Sequence, residues 1–195
     1  GLQLMSGRIV LVSHMGFYKR DEVFYSDDEG DHWQNSKADL PRMDEGAMAE
    51  VAKDEVVLIM RHKFEKTMGK AMVRSTDGGK TWGKVQYKRQ LIGPMSEASV
   101  AVVGSGTLFF ANPASATTRQ RIAIKASYDK GSTWRHHFMI ECGRTQGYTS
   151  LVQGTVVEEK MLGGVLFETL LAPGDTQGGD IDFKLFPIEM DVASP

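Results

Sequence analysis

Residues Ser75–Trp82 read STDGGKTW, and the chain carries two near-copies: SDDEGDHW at Ser26–Trp33 and SYDKGSTW at Ser127–Trp134. The shared pattern is Ser-x-Asp-x-Gly-x-(Thr or His)-Trp, and its last position holds every one of the chain's 3 tryptophans. Each residue type has a task in a tight turn. The Asp accepts backbone N–H groups across the turn, and the Ser closes it with a side-chain hydrogen bond. The Gly supplies a positive φ that other residues resist. The Trp is a broad apolar plate that anchors the hairpin between strands. The pattern is a folding device first, and a calcium-binding or chemical use of its Asp is the lesser reading.

The copies begin at residues 26, 75 and 127, so they lie 49 and 52 residues apart. A period of about 40–50 residues is that of propeller blades, each a four-stranded antiparallel sheet. The sequence between the copies agrees. Short β-type runs bounded by turn residues occur at Arg8–Val12, Glu22–Tyr25, Glu55–Met60, Lys70–Arg74, Ser99–Val103, Thr107–Phe110, Arg121–Ala126, Leu162–Phe167 and Ile181–Pro187. No segment sustains a 3.6-residue apolar period over ten or more residues, so the expected fold class is all-β.

Composition narrows the function classes. With 195 residues and 41% hydrophobic content the chain can bury a core. Its net charge of −2, with both signs interspersed, gives no footprint for nucleic acid or an anionic membrane. Its apolar runs, such as Val56–Met60, are too short to span a bilayer. Cys142 is the only cysteine, which excludes an internal disulfide and suggests a buried apolar residue. Asp31–His32 and Arg135–His137 lack a second cluster to complete a metal coordination set.

The repeats resemble the Asp boxes of the sialidases, and the sequence between them extends the likeness. GLQLMSGRIVLV (residues 1–12) is similar to that family's G-x-x-L-x-x-G-R-L-V-x-P strand, with Ser13 where proline is usual. EGAMAEV (45–51) resembles E-C-x-V-x-E with Gly46 in place of cysteine, and LIMRHK (58–63) resembles the L-N-A-R strand. FFANPASATTRQRIAIKASYDKGSTW (109–134), GYTSL (147–151) and VLFE (165–168) are similar to further family segments, in the same order. The resemblance implies an exo-α-sialidase that releases terminal sialic acids from glycans without metal or cofactor. It implies a six-bladed propeller of which residues 1–195 form a partial one, roughly the C-terminal three to four blades.

The substrate's chemistry rationalises the site the resemblance implies. Sialic acid carries a carboxylate on its anomeric carbon, which would repel the carboxylate nucleophile of most retaining glycosidases; sialidases use a tyrosine instead. A phenol is a poor nucleophile until a neighbouring base takes its proton. By resemblance Tyr148 is the nucleophile and Glu45 its base, with Glu50 the competing candidate. Arg61 and Arg119 match two of three arginines that hold the substrate carboxylate, since a guanidinium fork fits it in two-point hydrogen bonds. Arg121 competes with Arg119. Glu168 matches a carboxylate that orients the remaining arginine.

Two family features have no counterpart in residues 1–195: that remaining arginine, in an F-R-I-P-like motif, and the acid/base aspartate. They are expected, with the N-terminal blades, from sequence upstream of Gly1. The partner expected is a sialylated glycan on a glycoprotein, glycolipid or oligosaccharide. The alternatives are a non-catalytic sialoglycan-binding module, which needs the arginines but not the Tyr–Glu pair, and a purely structural Asp-box propeller.

Overall fold

The structure, a computed structural model, describes residues 1–63, 69–103, 106–157, 160–170 and 179–188. These residues contain strands and turns but no helix. Fifteen strands run in chain order. The first four are β1 (Leu2–Gln3), β2 (Ile9–Met15), β3 (Arg20–Ser26) and β4 (Gln34–Asn35). Then come β5 (Met43–Ala52), β6 (Glu55–His62), β7 (Lys70–Ser75) and β8 (Gln86–Lys88). They are followed by β9 (Ser99–Val103), β10 (Thr107–Pro113), β11 (Gln120–Ser127) and β12 (Arg135–Arg144). The last are β13 (Thr149–Val157), β14 (Lys160–Glu168) and β15 (Ile181–Pro187). They form four antiparallel meanders, β1–β4, β5–β8, β9–β12 and β13–β15, the last with three strands. These are four successive blades of a propeller, and their first strands turn towards one another: β5 packs on β9, and β9 on β13.

The apolar runs make sense as strands buried on both faces. In β6, Val56, Leu58 and Met60 join a cluster with Val10, Val23 and Met43 between blades one and two. Their alternating neighbours Val57 and Ile59 join Leu108, Phe110 and Trp134 between blades two and three. In β10, Phe109 and Ala111 face the other way, into a cluster with Val165, Phe167 and Phe186 of blade four. Each junction between consecutive blades thus has its own core, and burial on both faces requires the continuous run VVLIM rather than an alternating pattern.

The repeats occupy the same place in three blades, the turn from third to fourth strand. In the second, Ser75 Oγ donates to Asp77 Oδ1 (2.8 Å) and accepts from Gly79 N (2.8 Å). Asp77 accepts from Thr81 N (2.9 Å) and Thr81 Oγ1 (2.6 Å), and Trp82 Nε1 donates to Gly79 O (3.0 Å). The third repeats these bonds with Ser127, Asp129, Gly131, Thr133 and Trp134. In the first, His32 replaces the threonine and sets Nδ1 at 2.6 Å from Asp28 Oδ2. Gly79 has φ +83°, and a Cβ there would also press on Val10 of blade one at 3.1 Å. The boxes clamp neighbouring blades as well. Arg8 donates to Asp77 O (2.9 Å) and Gly78 O (3.1 Å), and Arg74 donates to Lys130 O.

One expectation is corrected. Cys142 is exposed, because it lies on β12, the outermost strand of its blade.

Candidate active site

The meander decides which residues can meet. Because strands alternate in direction, one rim of the blades carries the starts of first and third strands and the ends of second strands. Glu45 lies near the start of β5, Arg61 near the end of β6, Arg119 just before β11, Tyr148 just before β13, and Glu168 at the end of β14. All five candidates therefore share one rim. The Asp boxes, which follow third strands, occupy the opposite one.

Contacts join them. The Tyr148 hydroxyl donates to Glu45 Oε1 across two blades. Arg61 Nη1 donates to Glu45 Oε2 (2.7 Å) and lies 3.4 Å from Tyr148 Oη. The Arg119 guanidinium carbon stands 5.6 Å from the Tyr148 ring centroid, within cation–π range. Its Nη1 and Nη2 donate to Gln146 O (2.7 Å) and Met95 O (3.0 Å). Glu168 Oε2 accepts from the backbone N–H of Tyr148 (3.2 Å).

Local backbone aims Glu45. β5 shifts register against β6 between Asp44 and Gly46, leaving Glu45 as the extra residue of a bulge with φ +36°. A bulge re-aims one side chain, and a positive φ on a non-glycine residue is a strain found at functional positions. Gly46 permits this bulge to sit close, since a Cβ there would come within 2.8 Å of Leu58 Cδ1.

The competing candidates lie apart. Glu50 accepts from Met5 N (2.7 Å) and Asp54 N (2.8 Å), which staples the β5–β6 turn on the Asp-box rim. Arg121 is exposed, with φ +63° at a register shift of β11.

The electrostatics follow from this packing. Burial pushes the Tyr148 phenol up, Glu45's hydrogen bond and charge push it further, and Arg61 and Arg119 oppose, leaving it at about 12. Burial also pushes Glu45 up, but hydrogen bonds from Tyr148 and Arg61 and the two arginine charges outweigh it, so its carboxyl falls below the usual range. At neutral pH the pair is a neutral phenol bonded to a carboxylate. Free phenolate is therefore scarce at neutral pH, and any reaction at the phenol oxygen calls for a neighbouring group to take its proton.

Sequence reading missed Tyr18. Its hydroxyl accepts from Arg61 Nε, and its ring lies 5.1 Å from the Arg61 guanidinium carbon. Tyr18 has φ +51° in the β2–β3 turn, and no sequence motif marks it. Among the described residues, no group of three or more His, Cys, Asp or Glu side chains is arranged to hold a metal. His137 Nε2 instead lies 2.6 Å from Pro187 O.

Comparison with known proteins places this geometry in context. The profile of the BNR repeat-like domain matches residues 1–157. A sialidase of Micromonospora viridifaciens is 34% identical over 151 residues, covering 69% of this chain and 23% of its own length. A sialidase of Bacteroides fragilis (strain YCH46) is 28% identical over 161 residues, covering 77% and 28%. The chain therefore spans about a quarter of these curated relatives. Among solved structures, the Hadza microbial sialidase Hz136 superposes with a TM-score of 0.72 at 26% identity, covering 86% of this chain and 34% of that one.

Proposed function

The chain belongs to the BNR-repeat sialidase family, and from that premise we propose that it carries the nucleophile half of a retaining site that releases terminal sialic acid from glycoconjugates. The observation that carries the reading is the Tyr148–Glu45 hydrogen bond, held between blades four and two. In the proposed reaction Arg61 and Arg119 receive the substrate carboxylate, which brings the anomeric carbon to Tyr148 Oη. As that oxygen bonds to the carbon, its proton passes to Glu45 and the glycosidic C–O bond breaks. The leaving oxygen takes a proton from an acid outside residues 1–195. Water then attacks the sialyl–tyrosine and gives its proton to that same acid, now deprotonated, while the Tyr148 oxygen leaves and recovers its proton from Glu45, and configuration is retained.

A sialoglycan-binding module would need the arginines alone. The Tyr–Glu contact, with Arg61 on the same carboxylate, favours the enzyme. The test is Tyr148→Phe in a protein that includes the upstream blades, assayed with a fluorogenic α-sialoside. Phenol release is expected to fall by a factor of about 10²–10⁴ or more. Unchanged turnover would remove Tyr148 from the mechanism. Saturable sialic acid binding with no product from the unmodified protein would favour the binding module.

A further inference from the structure

Lys70 opens β7 and is 3% exposed, an unusual place for an ammonium. Its Nζ donates to Pro94 O (3.3 Å) and Ser96 O (2.5 Å), in the connection from blade two to blade three. The carbonyl between these two, Met95 O, accepts from Arg119 Nη2 at 3.0 Å. Three consecutive carbonyls are thus shared by two cations: the outer pair by Lys70 from inside the fold, the middle one by Arg119 from the rim. The same connection is held at its start by Asn112 Nδ2, which donates to Ile92 O (3.0 Å). At its end, Glu97 Oε2 accepts from the N–H of Thr149, next to Tyr148, at 3.1 Å. Gly93 leaves the room: a Cβ there would lie 2.1 Å from Asn112 Nδ2 and 3.0 Å from Lys70 Cε.

We propose that Lys70 is a positioning residue for Arg119: by tying down the Pro94–Ser96 segment it fixes Met95 O, which together with Gln146 O orients the guanidinium. Pro94 O also accepts from the Ser96 N–H (2.8 Å), so the carbonyl that depends on Lys70 is Ser96 O, and burying it without a donor is costly. A lysine supplies two bonds from one nitrogen at the end of a flexible stem. Burial, reinforced by the Arg61 and Arg119 charges and opposed by Glu97 and Glu45, pulls the Lys70 ammonium down to about 7. The neutral amine still carries two N–H groups, enough for both carbonyls, so the clamp persists on either side of that pH.

The role in substrate binding rests on the sialidase reading, but the clamp itself can be read without substrate. Side-chain ¹⁵N NMR of the chain follows rotation of each guanidinium, with Arg119 assigned through Arg119→Lys and Arg8, ion-paired to Asp27, as the internal reference. Slow rotation of Arg119 is expected in the unmodified chain. In Lys70→Met, which keeps an unbranched stem without donors, rotation should quicken at least tenfold while Arg8 stays unchanged. If Lys70→Met does not fold, Gly93→Ala disturbs the same contact from the loop side and should loosen Arg119 likewise. Free rotation in the unmodified chain, or an Arg119 signal indifferent to these changes, overturns the proposal. In the protein with upstream blades, Lys70→Met should weaken binding of a sialic acid glycal about tenfold, and should add nothing in an Arg119→Ala background. Additive losses would show that Lys70 does not act through Arg119. A glycal that fails to bind the unmodified protein would count against the sialidase reading, while the rotation measurement still decides the clamp.

Discussion

Glu45→Gln isolates the charge that governs the candidate nucleophile. Glutamine keeps the shape of the side chain and an acceptor for the phenol, but loses the negative charge. Two opposite or like charges about 4 Å apart interact by about 4 kcal/mol at the effective dielectric of a protein surface. At 1.36 kcal/mol per pH unit, that is at most about 3 units. Part of the effect will be recovered by water and side-chain relaxation, and Arg61, freed of its partner, will act more strongly on the phenol. Tyr148, held at about 12 in the unmodified chain, should therefore titrate roughly 1–3 units lower after the change. The assay is ¹³Cζ NMR of labelled tyrosine. The chain has 5 tyrosines, Tyr148→Phe assigns the relevant signal, and the others report alkaline unfolding. A Tyr148 midpoint that stays at its original value, or rises, would refute the electrostatic coupling on which the proposed role of Glu45 as a base depends.

Tyr18→Phe removes the acceptor of Arg61 Nε and keeps the ring; it should weaken glycal binding several-fold in isothermal titration, with little change in melting temperature. Trp134, 4% exposed, and Trp33, 41% exposed, stand at the same box position in different burial. Trp134→Ala should cost about 3–5 kcal/mol in urea unfolding and Trp33→Ala clearly less, and equal losses would contradict the packing described. The box carboxylates also predict an acid response. The His32 backbone N–H, with the His32 ring and Ser26, holds Asp28 down at about 2. Burial raises Asp129, but the Thr133 hydroxyl and N–H outweigh it and leave it at about 2 as well. Because both folded values lie below the unfolded one, their stabilisation is present above about pH 4 and is lost as pH falls towards 2. Melting temperature followed from pH 5 to 2 should drop in that window, and less steeply for Asp129→Asn.

All nine β-type runs read from the sequence correspond to strands. Most of them hold buried residues that demand apolar or β-branched side chains, as VVLIM does between two blades, whereas β15 is exposed except at Phe186. Among the strands without such a run are short or solvated ones. β4 and β8 are two and three residues long, and β12 reads RHHFMIECGR because an outer edge strand is largely solvated. The Tyr148–Glu45 pairing was legible only through resemblance, since no local pattern links residues 103 apart in sequence. The bulge at Glu45 and the clamp at Lys70 are tertiary. A lysine at the head of KAMVRS looks like any solvated strand end until the Pro94–Ser96 carbonyls are found around it.

The bond between Tyr148 and Glu45 is carried by blades that do not adjoin, and this makes it a gauge of the alignment of the whole array. A seven-residue strand is about 23 Å long at about 3.3 Å per residue, so a tilt of about 2.5° pivoting at one end displaces the other by about 1 Å. Such a displacement is enough to break a hydrogen bond and to lower a rate about a hundredfold. Arg8 pins blade one to the turn of blade two, and Arg74 pins blade two to the turn of blade three, at the far ends of the strands, and so they act as the fixed ends of long levers. Tolerances at the reacting atoms are set by fastenings the substrate never touches.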